Sequence, residues 1–129
     1  MIESRNTQFI IMLSLSLIIS LFVLFIPLGF SPDSLNYAYF LKYPEANTNV
    51  ILKLLSYLID NYNYLNFFYS LIFLVLFSYI FKKMSAIPLL SFGLLLILNY
   101  PNFGLIQIRS GVAIALFYFS LLFLKSNIL

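Results

Sequence analysis

The stretch from Gln8 to Pro27, QFIIMLSLSLIISLFVLFIP, decides how the rest of the chain is read. It carries no charge, Ser14, Ser16 and Ser20 are scattered through it, and Glu3 and Arg5 stand before it. At ~1.5 Å per residue, a helix of this length covers a bilayer hydrocarbon core of about 30 Å. A cleaved signal peptide would have an apolar core of about 7–15 residues followed by small residues at a cleavage site. This run is longer and ends in Pro27-Leu28-Gly29-Phe30, so it is read as a retained first span.

Working outward, three more apolar runs follow. Tyr64 to Phe81 opens with aromatic residues of the kind found at headgroup level and closes on Lys82-Lys83. Ala86 to Tyr100 begins near Pro88, tolerated in a first helical turn, and ends at the turn signal Asn99-Tyr100-Pro101-Asn102. Phe103 to Leu124 is closed by Lys125. Between the first and second runs, residues 28–63 form an extended polar region with Asp33, Lys42, Glu45, Lys53 and Asp60. Within it, Thr48 or Asn49 could cap a short helix from Val50 to Asp60, too short to span and suited to the membrane interface.

The 129 residues are 63% hydrophobic and 9% charged, against about 25% charged in a soluble domain. Too few polar residues lie outside residues 28–63 to coat a water-soluble surface. The expected architecture is an all-α integral membrane protein: a single membrane domain over 1–129, with about four transmembrane helices at 8–27, 64–81, 86–100 and 103–124. A short interfacial amphipathic helix lies in the outer loop. The bias of Lys and Arg toward cytoplasmic loops sets the orientation. With the N-terminus inside, Arg5, Lys82, Lys83 and Lys125 all fall on the cytoplasmic side. The C-terminus is then cytoplasmic as well, and the 28–63 loop and the Asn99 to Asn102 turn share the outer side.

The chain has no Cys and no His. That removes thiolate chemistry, imidazole bases and the common nitrogen and sulfur metal ligands, so no metal or cofactor is expected. Seven cations that never form a stripe argue against nucleic acid as a partner. Chemistry must come from Arg, Lys, Asp, Glu or Tyr. Arg109, in Gln107-Ile108-Arg109-Ser110-Gly111-Val112-Ala113, is the one charge inside an expected span. A charge at mid-bilayer costs about 2.5–3.5 kcal/mol and usually faces a protein interior or a wet cavity. Alternatively, lying about six residues or ~9 Å inside the outer end of its helix, the side chain could snorkel outward. Its fork of donors suits phosphate or carboxylate. Gly104, Gly111 and Ala115 lie at spacings that place small residues along one helix face for close packing. Asp33 and Tyr37, four apart, share a face if their stretch is helical; a helix-capping role for Asp33 is the plainer reading.

Asp33 with Tyr37, the segment Tyr43-Pro44-Glu45, and Ile108-Arg109-Ser110-Gly111-Val112-Ala113, taken in that order, resemble elements of the EpsG-like branch of bacterial polysaccharide polymerases. That branch is related to the Wzy O-antigen polymerases. Its members have an Asp-x-x-x-Tyr element in the first outer loop, a Pro/Glu segment leading to a short amphipathic helix, and an Ile-Arg-x-Gly-x-Ala element in a later helix. The resemblance implies joining of oligosaccharide repeat units carried on a lipid diphosphate at the outer face of the bacterial inner membrane. It makes Arg109 and Asp33 the catalytic candidates, and Tyr37, Glu45 and Gln107 the substrate-binding ones. Other polysaccharide-assembly membrane proteins become candidate partners, beside the bilayer itself. The match covers the N-terminal portion of the family, so a truncated polymerase, inactive alone, is expected. Ser31-Pro32 and Ser110 stand where the family commonly has Gly and Gln. The competing reading is a small non-catalytic membrane protein, an assembly partner or transporter subunit, in which Arg109 pairs with another chain.

Overall fold

The computed structural model describes residues 2–30, 32–43, 45, 50–59 and 61–127. It is helical throughout, with no strand among the described residues. The elements are α1 (Ile2–Val23), α2 (Pro32–Lys42), α3 (Val50–Ser56), α4 (Tyr62–Met84), α5 (Pro88–Leu98), a π-helical segment (Tyr100–Ile106) and α6 (Ile108–Asn127). Two of these, Ser4–Val23 within α1 and Tyr62–Met84, are long and apolar enough to cross a membrane.

The helix ends depart from those expected, each for a local reason. The first helix starts before its charged residues and stops at Val23, four residues short of Pro27. Beyond it Leu24, Phe25 and Ile26 donate to Leu21, Phe22 and Val23 in tighter i to i−3 bonds. Ile26 precedes a proline, whose ring disfavours α geometry in the residue before it. Gly29, at φ +95°, then turns the chain in a conformation that L side chains rarely adopt, and its N–H donates to Ser34 Oγ at 2.9 Å. The second long helix is longer than expected at both ends. Asn61 Oδ1 caps it by accepting from the Asn63 N–H at 2.8 Å, and Asn63 Nδ2 reaches back to the Leu24 carbonyl at 3.0 Å.

The third expected span shortens to the 11 residues of α5, about 16 Å of helix and less than a ~30 Å core requires. It ends where Pro101 has no N–H to give to Ile97 and its ring crowds that carbonyl. The chain widens there into π geometry, and the Gln107 N–H donates to Asn102 O, five residues back, at 2.7 Å. Regular α geometry resumes at Ile108. The fourth span therefore begins five residues later than expected. The helix in the outer loop is Val50–Ser56, shorter than the expected run to Asp60; its proposed caps, Thr48 and Asn49, lie outside the described residues.

Side-chain contacts give the directions of the helices. Arg5 meets Ser85, Ser16 meets Ser78 and Ser20 meets Ser70, so α1 and α4 are antiparallel. Phe77 packs on Tyr118 and Tyr79 on Phe119, so α6 runs parallel to α4. Between them α5 returns antiparallel to α4, from the Ser85–Ser91 contact to the Ser70–Tyr100 contact. The main core joins Met12 of α1, Phe73, Leu74, Phe77 and Ile80 of α4, Phe92 and Leu95 of α5, Tyr100, and Val112 and Ala115 of α6. A second cluster, Tyr37, Leu41, Tyr62 and Leu65, seats α2 on the start of α4.

The burial pattern departs from that of a water-soluble protein. Ser16, Ser20, Ser70 and Ser78 are 0% exposed, while Ile10 is 63%, Phe22 69% and Ile97 73% exposed. In water the hydrophobic effect would bury the large side chains first. In lipid that drive between helices is absent, and small residues are favoured where backbones approach closely. The buried serines, the exposed large side chains and the two long apolar helices together point to membrane association.

Candidate functional site

Arg109 and Tyr37 meet at one end of the bundle. Asn63 bonds to Leu24 there, α2 sits on Tyr62 and Leu65, and Tyr100 lies beside Ser70. Arg5, Lys82 and Lys83 lie at the opposite end, where Arg5 Nη2 donates to the Ser85 carbonyl at 3.4 Å and Lys82 and Lys83 stand over the rings of Phe9 and Tyr79. α2 and the π-helical segment thus share one end of the bundle.

Arg109 occupies the first turn of α6. Its side chain is exposed, and it stands second in α6 and not six residues into a continuous α-helix, because the π-helical segment takes up the residues expected before it. Its guanidinium carbon lies 5.0 Å from the centroid of the Tyr37 ring. Tyr37 is buried, and its ring stacks on Tyr62 at 6.3 Å and 19°. Arg109 therefore ties α6 to α2 through a ring that α4 holds flat. Such a contact contributes about 0.5–1 kcal/mol at an exposed site. The helix start adds partial positive charge to that of the guanidinium, and no carboxylate among the described residues pairs with Arg109. The local field therefore favours an anion, and the planar fork of donors can bind one bidentately.

The other selected residues divide. Tyr37 joins Arg109 directly. Asp33 lies one turn before Tyr37 on α2; its side chain lies outside the described residues, as does Pro44. Gln107 is the hinge between π and α geometry, its N–H donating to Asn102 O and its carbonyl accepting from the Gly111 N–H at 2.9 Å, with its side chain exposed. Glu45 is occupied elsewhere: its carboxylate accepts from Lys53 Nζ at 2.8 Å and ties the connection after α2 to α3. That hydrogen bond and the carboxylate charge push the Lys53 ammonium pKa above its ordinary value. Gly111 and Ala115 are buried on the packed face of α6, as expected. Gly104 falls in the π-helical segment, so it does not continue their row.

Sequence reading missed a line of polar groups inside the bundle. Ser20 Oγ lies 3.4 Å from Ser70 Oγ, which lies 2.6 Å from Tyr100 Oη. One turn away on α4, Asn66 is 1% exposed, and its Oδ1 has no hydrogen-bond partner among the described residues. The signal was the spacing of four in Ser16–Ser20 and Asn66–Ser70, which puts each pair on one helix face.

Fold and site together define an all-helical protein, with two helices fit to cross a membrane and an arginine resting on a tyrosine pair at one end of the bundle. Comparison with family models, curated proteins and solved structures returns no match.

Proposed function

We propose that the chain is a polysaccharide polymerase-like membrane protein of the EpsG/Wzy type, the front part of an enzyme that extends polysaccharide from lipid-diphosphate-linked repeat units. In this reading α1, α4, α5 with the π-helical segment, and α6 make four crossings of the bacterial inner membrane. Both termini are cytoplasmic, and Arg109 is at the outer face. A hydroxyl of one repeat unit attacks the anomeric carbon of the other. The new glycosidic bond forms as the anomeric carbon–oxygen bond breaks, the lipid diphosphate leaves with the electron pair, and the hydroxyl proton passes to a base. Arg109 offsets the charge on the departing diphosphate, and Asp33 is the candidate base. Tyr37, Gln107 and Glu45 would bind the sugars.

The observation that carries this reading is the Arg109 guanidinium, without a carboxylate partner among the described residues, held on Tyr37 beside the start of α6. Supporting it is the order of the three sequence elements from Asp33 to Ala113. The test is polymer length on gels from membranes of an intact relative supplied with lipid-linked repeat units, comparing that relative with variants in which the arginine matching Arg109 is replaced by alanine or by lysine, after normal insertion is verified. Loss of one preorganised charge-stabilising donor costs about 10²–10³ in rate, so long polymer should vanish from both variants. Polymer retained at normal length would remove Arg109 from the mechanism.

The exposure of Arg109 favours a second reading, a non-catalytic subunit in which the guanidinium meets a carboxylate of another membrane chain. Cross-linking from position 109 separates the two: a protein adduct supports the subunit, a lipid-diphosphate adduct the polymerase.

A further inference from the structure

Along α4, helices α5 and α6 diverge and leave an open cleft of about 750 Å³. Its floor is Phe73, Phe77 and Ile80, its walls include Leu94 and Leu98 on one side and Ile114 and Tyr118 on the other, and one mouth opens at Phe81, Met84 and Ser85. From Phe73 to Ser85 the cleft follows α4 for ~18 Å at the helical rise, and its mostly apolar lining accommodates a hydrocarbon chain, bounded by carbon contacts of about 4 Å.

Charge selects the kind of lipid. The mouth at Phe81, Met84 and Ser85 is the last turn of α4, which also carries Lys82 and Lys83, and Arg5 reaches the Ser85 carbonyl there. Lys82 Nζ sits 4.4 Å from the Phe9 ring centroid and Lys83 Nζ 5.8 Å from that of Tyr79. Among the described residues none of the three cations is in an ion pair. At the other end, the lining residues Leu98 and Asn99 are uncharged. We infer that the α4–α5–α6 cleft holds an acyl chain of an anionic phospholipid, with its phosphate drawn to Arg5, Lys82 and Lys83. This inference rests on the membrane reading above but not on the polymerase chemistry.

The chain contains no Trp, so a single introduced Trp reports its own surroundings. Leu94→Trp places the reporter at the lip of the cleft. Ile10→Trp places a control on the outward face of α1 at similar depth, since the neighbouring Phe9 packs on Tyr79 and Ser91 on Ser85. Each variant is reconstituted in vesicles of phosphatidylcholine doped with acyl-brominated phosphatidylglycerol or acyl-brominated phosphatidylcholine, and quenching is read as relative lipid affinity. Trp at 94 should favour the anionic lipid about threefold or more, because each cation at the surface attracts an anionic headgroup. Trp at 10 should show no preference. Adding Lys82→Gln and Lys83→Gln should bring the preference at 94 close to one. Equal quenching of the cleft reporter by both lipids would overturn the inference, as would a preference that survives loss of the lysines. Quenching at 10 with none at 94 would overturn it too, and would mean that protein covers the cleft. A control unquenched by either lipid would overturn the membrane reading as well.

Discussion

Replacing Ser16 by leucine should weaken the pairing of α1 with α4, whereas replacing it by alanine should do little. Each hydroxyl has one proton, and Ser16 already donates to the Met12 carbonyl at 2.7 Å while Ser78 donates to that of Leu74 at 2.8 Å. Their mutual contact, at 3.3 Å, gains a proton only if one of those bonds is given up. Interhelical hydrogen bonds in membranes average ~0.6 kcal/mol, and this divided one should contribute less. Alanine therefore costs under about 0.6 kcal/mol. Leucine must fit where Ser16 is 0% exposed between two backbones, and overpacking costs about 1–3 kcal/mol, a five- to 150-fold loss at about 1.4 kcal/mol per decade. A soluble core would offset part of that by burying more apolar area, but beside lipid the exposed reference state is already apolar. The assay is reversible unfolding in mixed micelles with increasing anionic detergent, following helix separation by energy transfer between labels on α1 and α4. A Ser16→Leu protein as stable as the parent, or a Ser16→Ala protein destabilised by more than leucine, would refute the packing argument.

Three further outcomes follow from the same contacts. Tyr37→Phe should leave the Arg109 contact intact while Tyr37→Leu loses about 0.5–1 kcal/mol of α2 docking, measured by protease cleavage in the loop after α2. Asn66→Leu should stabilise the bundle by about 1 kcal/mol or more, because the buried Oδ1 is left without a donor; lower stability in the same unfolding assay would mean that the amide has a partner. Ala115→Phe should separate α6 from α4 at a cost of about 1–3 kcal/mol, since Ala115 is fully buried in the main core, with energy transfer between labels on those two helices falling accordingly.

The long apolar runs made α1 and α4 legible, because hydropathy summed over a window is insensitive to a few serines. That same insensitivity hid the seam: Ser16, Ser20, Ser70 and Ser78 read as scatter until their fourfold and eightfold spacings are placed on two antiparallel helices. Helix ends were less legible, being set by single atoms. Pro27 acts on Ile26 one residue ahead, the Asn61 side chain starts α4 before its apolar run begins, and Pro101 removes one N–H and turns the expected loop into a π-helical segment. Arg109 is legible from charge alone, whereas its place as the second residue of α6 instead of the seventh follows from the irregular geometry of the residues before Ile108. Its seat on Tyr37, brought together across 72 positions of sequence, is set by α2 packing on α4, which no local pattern reports.

Because α turns hold 3.6 residues, the phase of everything after Gln107 depends on how many residues the wide turn absorbs. Removing Asn102 alone would reset that phase by about 100°, pointing the guanidinium a quarter-turn or more away from the aromatic pair while leaving every side chain chemically unchanged. The irregular backbone between Asn99 and Gln107 thus works as the dial that aims Arg109.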